Sequence, residues 1–275
     1  MAITNFIPTV WSETLYNQLE RKYIAVSHCN REFEGDIKEK GASVKICGVG
    51  NITIDDYTKD SDMSLPQTLS DTCQELKINQ AKYFNFQIDD IDQAQCSPKL
   101  MEAAMKLAAS GLANAADKYV FNLYVDAGHQ LSFPCENIID RIIDARTILF
   151  ENNVSDAEEV IVELTPHIAK MLMKEKSELV SDNNEIIESG CIGSIAGCKV
   201  YVSNNVPHED IGGGMRHHCI VRTKRAIAFA EQLSEINAYR PEKRFADAVK
   251  GLYLFGAKVI YPKEFVVIDF ETYDI

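Results

Sequence analysis

The stretch from Ser97 to Val125, SPKLMEAAMKLAASGLANAADKYVFNLYV, constrains this chain more than any other, because it reads as one long helix with a single apolar stripe. Ser97 can cap free N–H groups, and Pro98 falls at the first helical position, where a missing N–H costs nothing. Met101, Met105, Ala108, Leu112, Ala115, Tyr119 and Leu123 follow one another at steps of three or four. Lys99, Glu102, Lys106, Ser110, Asp117 and Asn122 fall opposite them, so one face is expected to be buried and the other wet. Such a helix would be roughly 40 Å long, more than a compact domain needs for its own core. Abundant alanine, and Gly111 at a helix-propensity cost of about 1 kcal/mol, would let another backbone come close along it. The element reads as a strut.

The segments around it set the architecture. Pro8 to Arg21 carries Val10 or Trp11, Leu15 and Leu19 at helical spacing, which predicts a short helix docked on this chain or on a neighbour. Ser43 to Cys47 and Ile52 to Ile54 alternate as strands do, and alternation returns at Leu76, Ile78, Phe84, Phe86 and Ile88. Between them, Asp55 to Gln74 is polar and without core-building period, about twenty residues, which is long for a loop inside a compact domain. It is either a floppy hairpin or an extended arm whose strands another subunit completes. After the long helix, Gly128 offers a C-terminal stop, and Asn137 to Asn152 reads as a second amphipathic helix with Asn137 as its cap. Glu159 to Leu164 is a strand bounded by Pro166, Ile168 to Leu172 a short helix, and Gly190 to Pro207 a glycine-punctuated turn with a strand at Lys199 to Ser203. With β-prone segments at 219–230 and 248–268, the back half is expected to alternate helix and strand.

Composition excludes several functions. The 275 residues are 46% hydrophobic, enough for a real core, and Asp and Glu outnumber Lys and Arg by 41 to 28, giving a net charge of −13. Gripping nucleic-acid phosphates needs clustered basic residues, so direct DNA binding is not expected. Eight cysteines are scattered along the chain behind an N-terminus with no basic or apolar leader, which fits a protein made in reducing cytosol with buried thiols. No apolar run approaches the roughly 20 residues that cross a bilayer.

The chain has no glycine-rich dinucleotide or phosphate loop and no serine nucleophile elbow. Cys191, Cys198, His217, His218 and Cys219 are ligand-type residues, but neither Cys-x-x-Cys nor His-x3-His spacing occurs among them. Gly212-Gly213-Gly214 reads as a turn, and Asp55-Asp56 and Asp89-Asp90 as solvated faces. No catalytic residue, cofactor or metal is therefore expected.

The run QAKYFNFQIDDID (Gln80 to Asp92) leading into SPKLMEAAMKLAASGLANAADKY resembles the segment before and within the spine helix of major capsid proteins of tailed bacteriophages. TNFIPTVWSETLYNQLERKYIAVSHCNREFEGDIKEKG (Thr4 to Gly41) resembles that family's N-terminal arm and the start of its extended loop. GCIGSIAGCKVYVSNNVP and AFAEQLSEINAYRPEKRFADAVKGLYLFGAKVIYPKEFVVI resemble its axial-domain and closing strands, and the four matches are collinear over nearly the whole chain.

The resemblance implies an α+β Hong Kong 97-type capsid fold. Residues 1–30 would be the N-terminal arm, 31–79 the extended β-hairpin loop (E-loop), and 80–135 the peripheral domain with spine helix 97–125. Residues 136–250 would be the axial domain and 251–275 the return to the peripheral domain. It also implies pentamers and hexamers of an icosahedral head enclosing double-stranded DNA, with portal and decoration proteins as further partners and no membrane. An arm beginning at Met1 leads to the expectation of a separate scaffolding protein. Subunit contacts are expected at Trp11, Ile52, Ile54, Tyr57 and Lys59, the last a conceivable cross-linking lysine. The alternatives are an encapsulin-type nanocompartment shell, or a cytosolic α/β enzyme that uses the Cys/His cluster and loses activity when Cys198 or His217 is replaced.

Overall fold

The computed structural model describes residues 15, 18–19, 22–32, 43–49, 54, 56, 59, 71–89, 100–134, 137–154, 159–175, 191–243 and 245–273. The long stretch forms helix α1 (Leu100–Phe121), 22 residues, and runs on as a 3-10 segment over Asn122–Asp126. At about 1.5 Å per residue α1 alone spans about 33 Å. Ser97 and Pro98 lie outside the described residues.

The buried face of α1 is rotated from the expected one. Met105, Ala109, Leu112, Ala113, Ala116, Val120 and Phe121 are buried, while Ala108, Ala115, Tyr119 and Leu123 flank them half-buried. Asp117, expected on the wet face, is only 2% exposed. Its carboxylate accepts the backbone N–H groups of Ile24 at 3.0 Å and Val26 at 3.1 Å. A carboxylate satisfied by main-chain donors can be buried where an unpaired one cannot, and an apolar-stripe count does not see such donors. Gly111 is exposed and a Cβ there would meet no atom of the chain within 4 Å, so it serves no close backbone approach within the subunit.

The strands of the first half are β1 (Ser43–Val49), β2 (Asp71–Lys77), β3 (Gln80–Asp89), β4 (His129–Pro134) and β5 (Val160–Leu164). Those of the second half are β6 (Cys191–Ile195), β7 (Cys198–Val202), β8 (His208–Asp210) and β9 (Gly214–Thr223), followed by β10 (Ile227–Tyr239), β11 (Ala246–Val259) and β12 (Phe265–Tyr273). Helices α2 (Ile138–Glu151) and α3 (Pro166–Lys174) lie between them in sequence. Beyond α3 the described chain is all strand apart from short 3-10 turns, so the expected alternation of helix and strand stops there. The β-branched and aromatic residues that fill 214–273 favour strands, and no 3.6-residue period interrupts them.

Three sheets result. β1 and β2 pair alone as an antiparallel hairpin, β10-β11-β3 form a three-stranded sheet, and β4-β12-β9-β5-β7-β6 a larger one with β8 hung on β9. One core lies beneath the three-stranded sheet, where α1 residues and Leu15, Leu19, Tyr23 and Val26 meet Phe229, Tyr253, Phe255 and Phe265. The apolar side of the N-terminal helical segment therefore docks on its own chain at Leu15 and Leu19. A second core packs Ile138, Ile142 and Leu149 of α2 and Ile168 and Leu172 of α3 against Val162, Val200, Val221 and Ile268 of the larger sheet.

Two expected helix signals act differently. The chain leaves the 3-10 segment through an extended Ala127, and Gly128 instead donates its N–H to Pro262 O at 2.9 Å, where a Cβ would stand 2.3 Å from that oxygen. Asn137 is left-handed (φ 52°) and its side chain caps nothing. The cap of α2 comes from Glu175, just past the end of α3, which accepts the N–H of Ile138 at 3.1 Å and of Ile139 at 3.5 Å. A carboxylate suits a helix N-terminus twice, as acceptor and as counter-charge. Glu175→Ala is expected to lower stability by about 1 kcal/mol in urea denaturation, and an unchanged midpoint would show that α2 needs no cap.

The β6–β7 turn carries a local misfit. Ala196 (φ 50°) and Gly197 (φ 78°) both lie in the left-handed region, the pair that a tight type I′ hairpin turn requires, but alanine pays a steric penalty there. Ala196→Asn is expected to raise stability by about 1 kcal/mol, a thermal midpoint shift of about 2 °C; no shift would mean the strain is relieved elsewhere.

Candidate functional site

The Cys/His residues do not converge. Cys191 packs with Ile161 and Tyr201, while Cys198 and Cys219 lie in the core above the larger sheet, all three buried. Burial pushes the Cys198 thiol up, the reverse of an activated nucleophile. His217 Nδ1 meets Thr165 Oγ1 at 3.1 Å, and His218 Nδ1 meets Asp269 Oδ1 at 2.7 Å. Among the described residues no group of three His, Cys, Asp or Glu is placed to hold a metal ion.

The unusual geometry lies in two other places. The first is the β1–β2 hairpin. Its strands pair from Ser43↔Lys77 to Val49↔Asp71. In the connection between them, Ile54 is 93% exposed, and Asp56 and Lys59 are also exposed. Trp11, Ile52 and Tyr57 lie outside the described residues. At the root of the hairpin, Val44, Leu76 and Ile78 are buried against Ala228, Ala230, Leu254 and Ile260. Gln74 Nε2 donates to Ile260 O at 3.2 Å and Lys258 Nζ to Glu75 O at 3.1 Å. Gly256 of β11 lies so close beneath the hairpin that a Cβ there would be 2.2 Å from Lys77 O. The hairpin is thus anchored at its base on the three-stranded sheet and, among the described residues, pairs with no other strand.

The second place is the junction around residues 23–31, which ties three bodies together. Arg222 of β9, fully buried, forms a two-pronged ion pair with Glu163 of β5 (Nε to Oε2 2.9 Å, Nη2 to Oε1 3.0 Å). Its remaining N–H groups donate to His28 O at 2.7 Å and Ala25 O at 3.0 Å. Asp117 of α1 holds the amides of the same turn, as described above. Arg222 and Asp117 therefore grip one short segment by its carbonyls and by its N–H groups. Burial alone would raise the Glu163 pKa, but the Arg222 charge and His28 overcome it and hold the carboxyl below its ordinary value. Burial pushes Asp117, which lacks a cationic partner there, up to about 6 despite its backbone donors.

Further along, Asn30 joins the edge of β10 by exchanging backbone hydrogen bonds with Ile227 and Phe229, both 2.9 Å. Glu231 of β10 accepts from Arg31 and from the hydroxyls of Tyr23 and Tyr253. Desolvation and the Glu231 charge push the Tyr23 hydroxyl far up, so it stays a donor. Nearby, the two crossings between the sheets are locked side by side, with Glu264 accepting from Thr223 Oγ1 at 2.6 Å and Arg225 Nη2 at 2.7 Å. None of these groups was singled out from the sequence. The available signal was a charged residue within an otherwise apolar strand, Glu163 in VIVEL and Arg222 in CIVRT.

The arrangement is mechanical: a long helix and two sheets are joined through one clamped segment, and an arm is anchored on the smaller sheet. No family model and no curated protein matches the chain by sequence. By structure it is similar to a solved chain of Mycobacterium phage Che8, at 27% identity over 90% of each chain and a TM-score of 0.69. It is also similar to the capsid of Ralstonia phage GP4, at 12% identity over 94% of this chain and 91% of that one, with a TM-score of 0.70. A virus-like particle from Pyrococcus furiosus is similar at 12% identity over 93% and 96%, with a lower TM-score of 0.55.

Proposed function

We infer that this chain is the major capsid protein of a tailed bacteriophage, a shell subunit of the Hong Kong 97 fold whose work is done by its contacts with other copies of itself. The observation that carries this is the anchored hairpin beside a long helix, in a chain that superimposes on phage capsid subunits along nine-tenths of its length. A two-stranded hairpin alone is marginally stable in water, so one rooted on the body yet unpaired along its length gains from a neighbouring copy. Ile54 and Lys59, with Trp11, Ile52 and Tyr57, are the residues we assign to such contacts. Residues 1–30 form the arm, 31–79 the extended loop, 80–135 and 251–275 the peripheral domain and 136–250 the axial domain in this reading.

Pentamers and hexamers closing into an icosahedral head around double-stranded DNA follow from the same reading, with portal, scaffolding and decoration proteins as its further partners and assembly in the host cytoplasm. A net charge of −13 suits an enclosing wall that does not grip phosphate. The encapsulin-type alternative has less support, since the virus-like particle superimposes less well than the phage capsids do. The test is negative-stain microscopy with light scattering on the full chain, expressed alone and with a candidate scaffolding protein. Closed shells, tubes, pentamers or hexamers are expected. A strictly monomeric species at high concentration under both conditions would overturn the reading, and shells filled with a host enzyme would favour the encapsulin.

A further inference from the structure

Around His217 of β9 gather His167 of the first turn of α3 and His208 of β8, with His218 next in the chain; His167 comes from a separate element far upstream. The His217 ring stacks on His167 of α3, with centroids 5.3 Å apart and planes within 9°. On its other side lies His208 of β8, at 5.9 Å. His217 is 5% exposed, its Nδ1 faces the neutral Thr165 hydroxyl, and its buried Nε2 has no hydrogen-bond partner. His167 and His208 are exposed.

The surrounding charges differ sharply between the two adjacent β9 histidines. His218 faces the Asp269 carboxylate of β12 at 2.7 Å, Glu209 of β8 at 4.0 Å, and the Tyr124 ring at 4.3 Å. Arg216 bridges Glu209 and Glu271, each at 2.8 Å. The groups acting electrically on His217 are His167, His208 and His218, every one of them positive when protonated. Burial first, and these neighbours second, push the His217 pKa down to about 4. A base whose pKa is lowered by folding favours the folded arrangement at neutral pH and loses that advantage as pH falls from about 6.5 toward about 4.

The element at stake is held weakly. β8 pairs with β9 over only three residues, His208↔His217, Glu209↔Arg216 and Asp210↔Met215, with one further bond from His218 N to Pro207 O at 3.0 Å. Its ion pair to β9, Glu209 with Arg216, is exposed, and exposed pairs hold little; Glu209 also lies 4.0 Å from His218 Nε2.

We propose that His167, His208 and His217 form an acid-sensitive catch, which seats β8 on the edge of β9 at neutral pH and releases it when the imidazoles charge. Charge on His208 leaves a strand that can move into solvent, so β8 is the part that gives way. This inference concerns a single subunit and stands apart from the shell reading.

Hydrogen exchange on the full chain, at about pH 7.5 and about pH 5 and corrected for intrinsic rates, reads the catch directly. The amides of 208–216 are expected to lose about tenfold protection at the lower pH while β12 keeps its own. His208→Gln, at an exposed position, removes the charge that β8 carries and is expected to reduce that loss to about threefold or less. His167→Gln removes the facing charge on α3 and is expected to act in the same direction. Unchanged protection in the wild type, or a full loss retained in both variants, would overturn the proposal. Protection already lost at neutral pH in His208→Gln would also overturn it, because the ring and not its charge would then be holding the strand.

Discussion

Arg222→Met is expected to remove about 3–5 kcal/mol of stability, enough to leave much of the chain unfolded or aggregated on expression. The arginine is fully buried and neutralises Glu163, which is equally buried, so methionine would strand a carboxylate in the core. It also donates to the carbonyls of His28 and Ala25; His28 O would lose that donor, while Ala25 O would keep the N–H of His28. The double replacement Glu163→Leu with Arg222→Met removes the stranded charge and is expected to restore more than half of the loss, since a buried ion pair is often no better than apolar side chains of similar size. The segment still lacks both arginine bonds in the double variant, so limited proteolysis near residues 25–30 should accelerate while the urea midpoint recovers. A single variant within about 1 kcal/mol of wild type would sink the idea that this pair organises the junction.

The same pair sets part of the acid sensitivity. The Glu163 carboxyl is held below its ordinary value, so its contribution is present above the usual carboxylate range and is lost as the pH falls through its lowered pKa. Asp117 has the opposite sign. Its pKa is raised to about 6, so keeping it charged in the core opposes folding above about pH 6, and that cost disappears on acidification toward about 4. Asp117 grips the segment directly and Glu163 does so through Arg222, so mild acid should spare the Asp117 side of the clamp while stronger acid opens the Glu163 side.

Much of the architecture was legible in the sequence because it follows from period. The long helix, the second helix with Ile138, Ile142 and Leu149 buried, and strands β1 and β3 announce themselves by spacing, whereas β2 begins at Asp71, inside the stretch whose polar residues read as connection. What the sequence hid follows from partners distant along the chain. The stripe of α1 is rotated because Asp117 is satisfied by Ile24 and Val26, 93 and 91 residues away. The cap of α2 is Glu175, 37 residues beyond Ile138, and no local rule would choose it over Asn137. Arg222 sits 59 residues from Glu163 and nearly 200 from the carbonyls it binds. Of the residues proposed for subunit contacts, only Ile54 and Lys59 fall among those described, and both are exposed.

Gly256→Val is expected to leave the body of the subunit folded yet abolish its assembly into shells. The glycine lies under the root of the β1–β2 hairpin, where a Cβ would stand 2.2 Å from Lys77 O and 3.1 Å from Ile78 Cα, both backbone atoms that no side-chain rotation can move aside. Either β11 or the hairpin must shift. β11 is paired along both edges, with β10 and with β3, whereas the hairpin is held by a small cluster and two side-chain hydrogen bonds. The hairpin is therefore the side that gives way, and unseating Val44, Leu76 and Ile78 would cost about 3 kcal/mol or more locally. In hydrogen exchange, β1 and β2 should lose protection while α1 and β12 keep theirs, and electron microscopy should show subunits where the wild type forms shells. Gly111→Ala makes the contrasting case. That glycine is exposed with open space around it, so alanine should stabilise the isolated subunit by about 1 kcal/mol through helix propensity. If shells of Gly111→Ala form normally, α1 meets no neighbour at that point; if they fail while the subunit is more stable, another copy's backbone packs there. Normal shells from Gly256→Val would mean that the seat of the hairpin on β11 does not set how one subunit reaches the next.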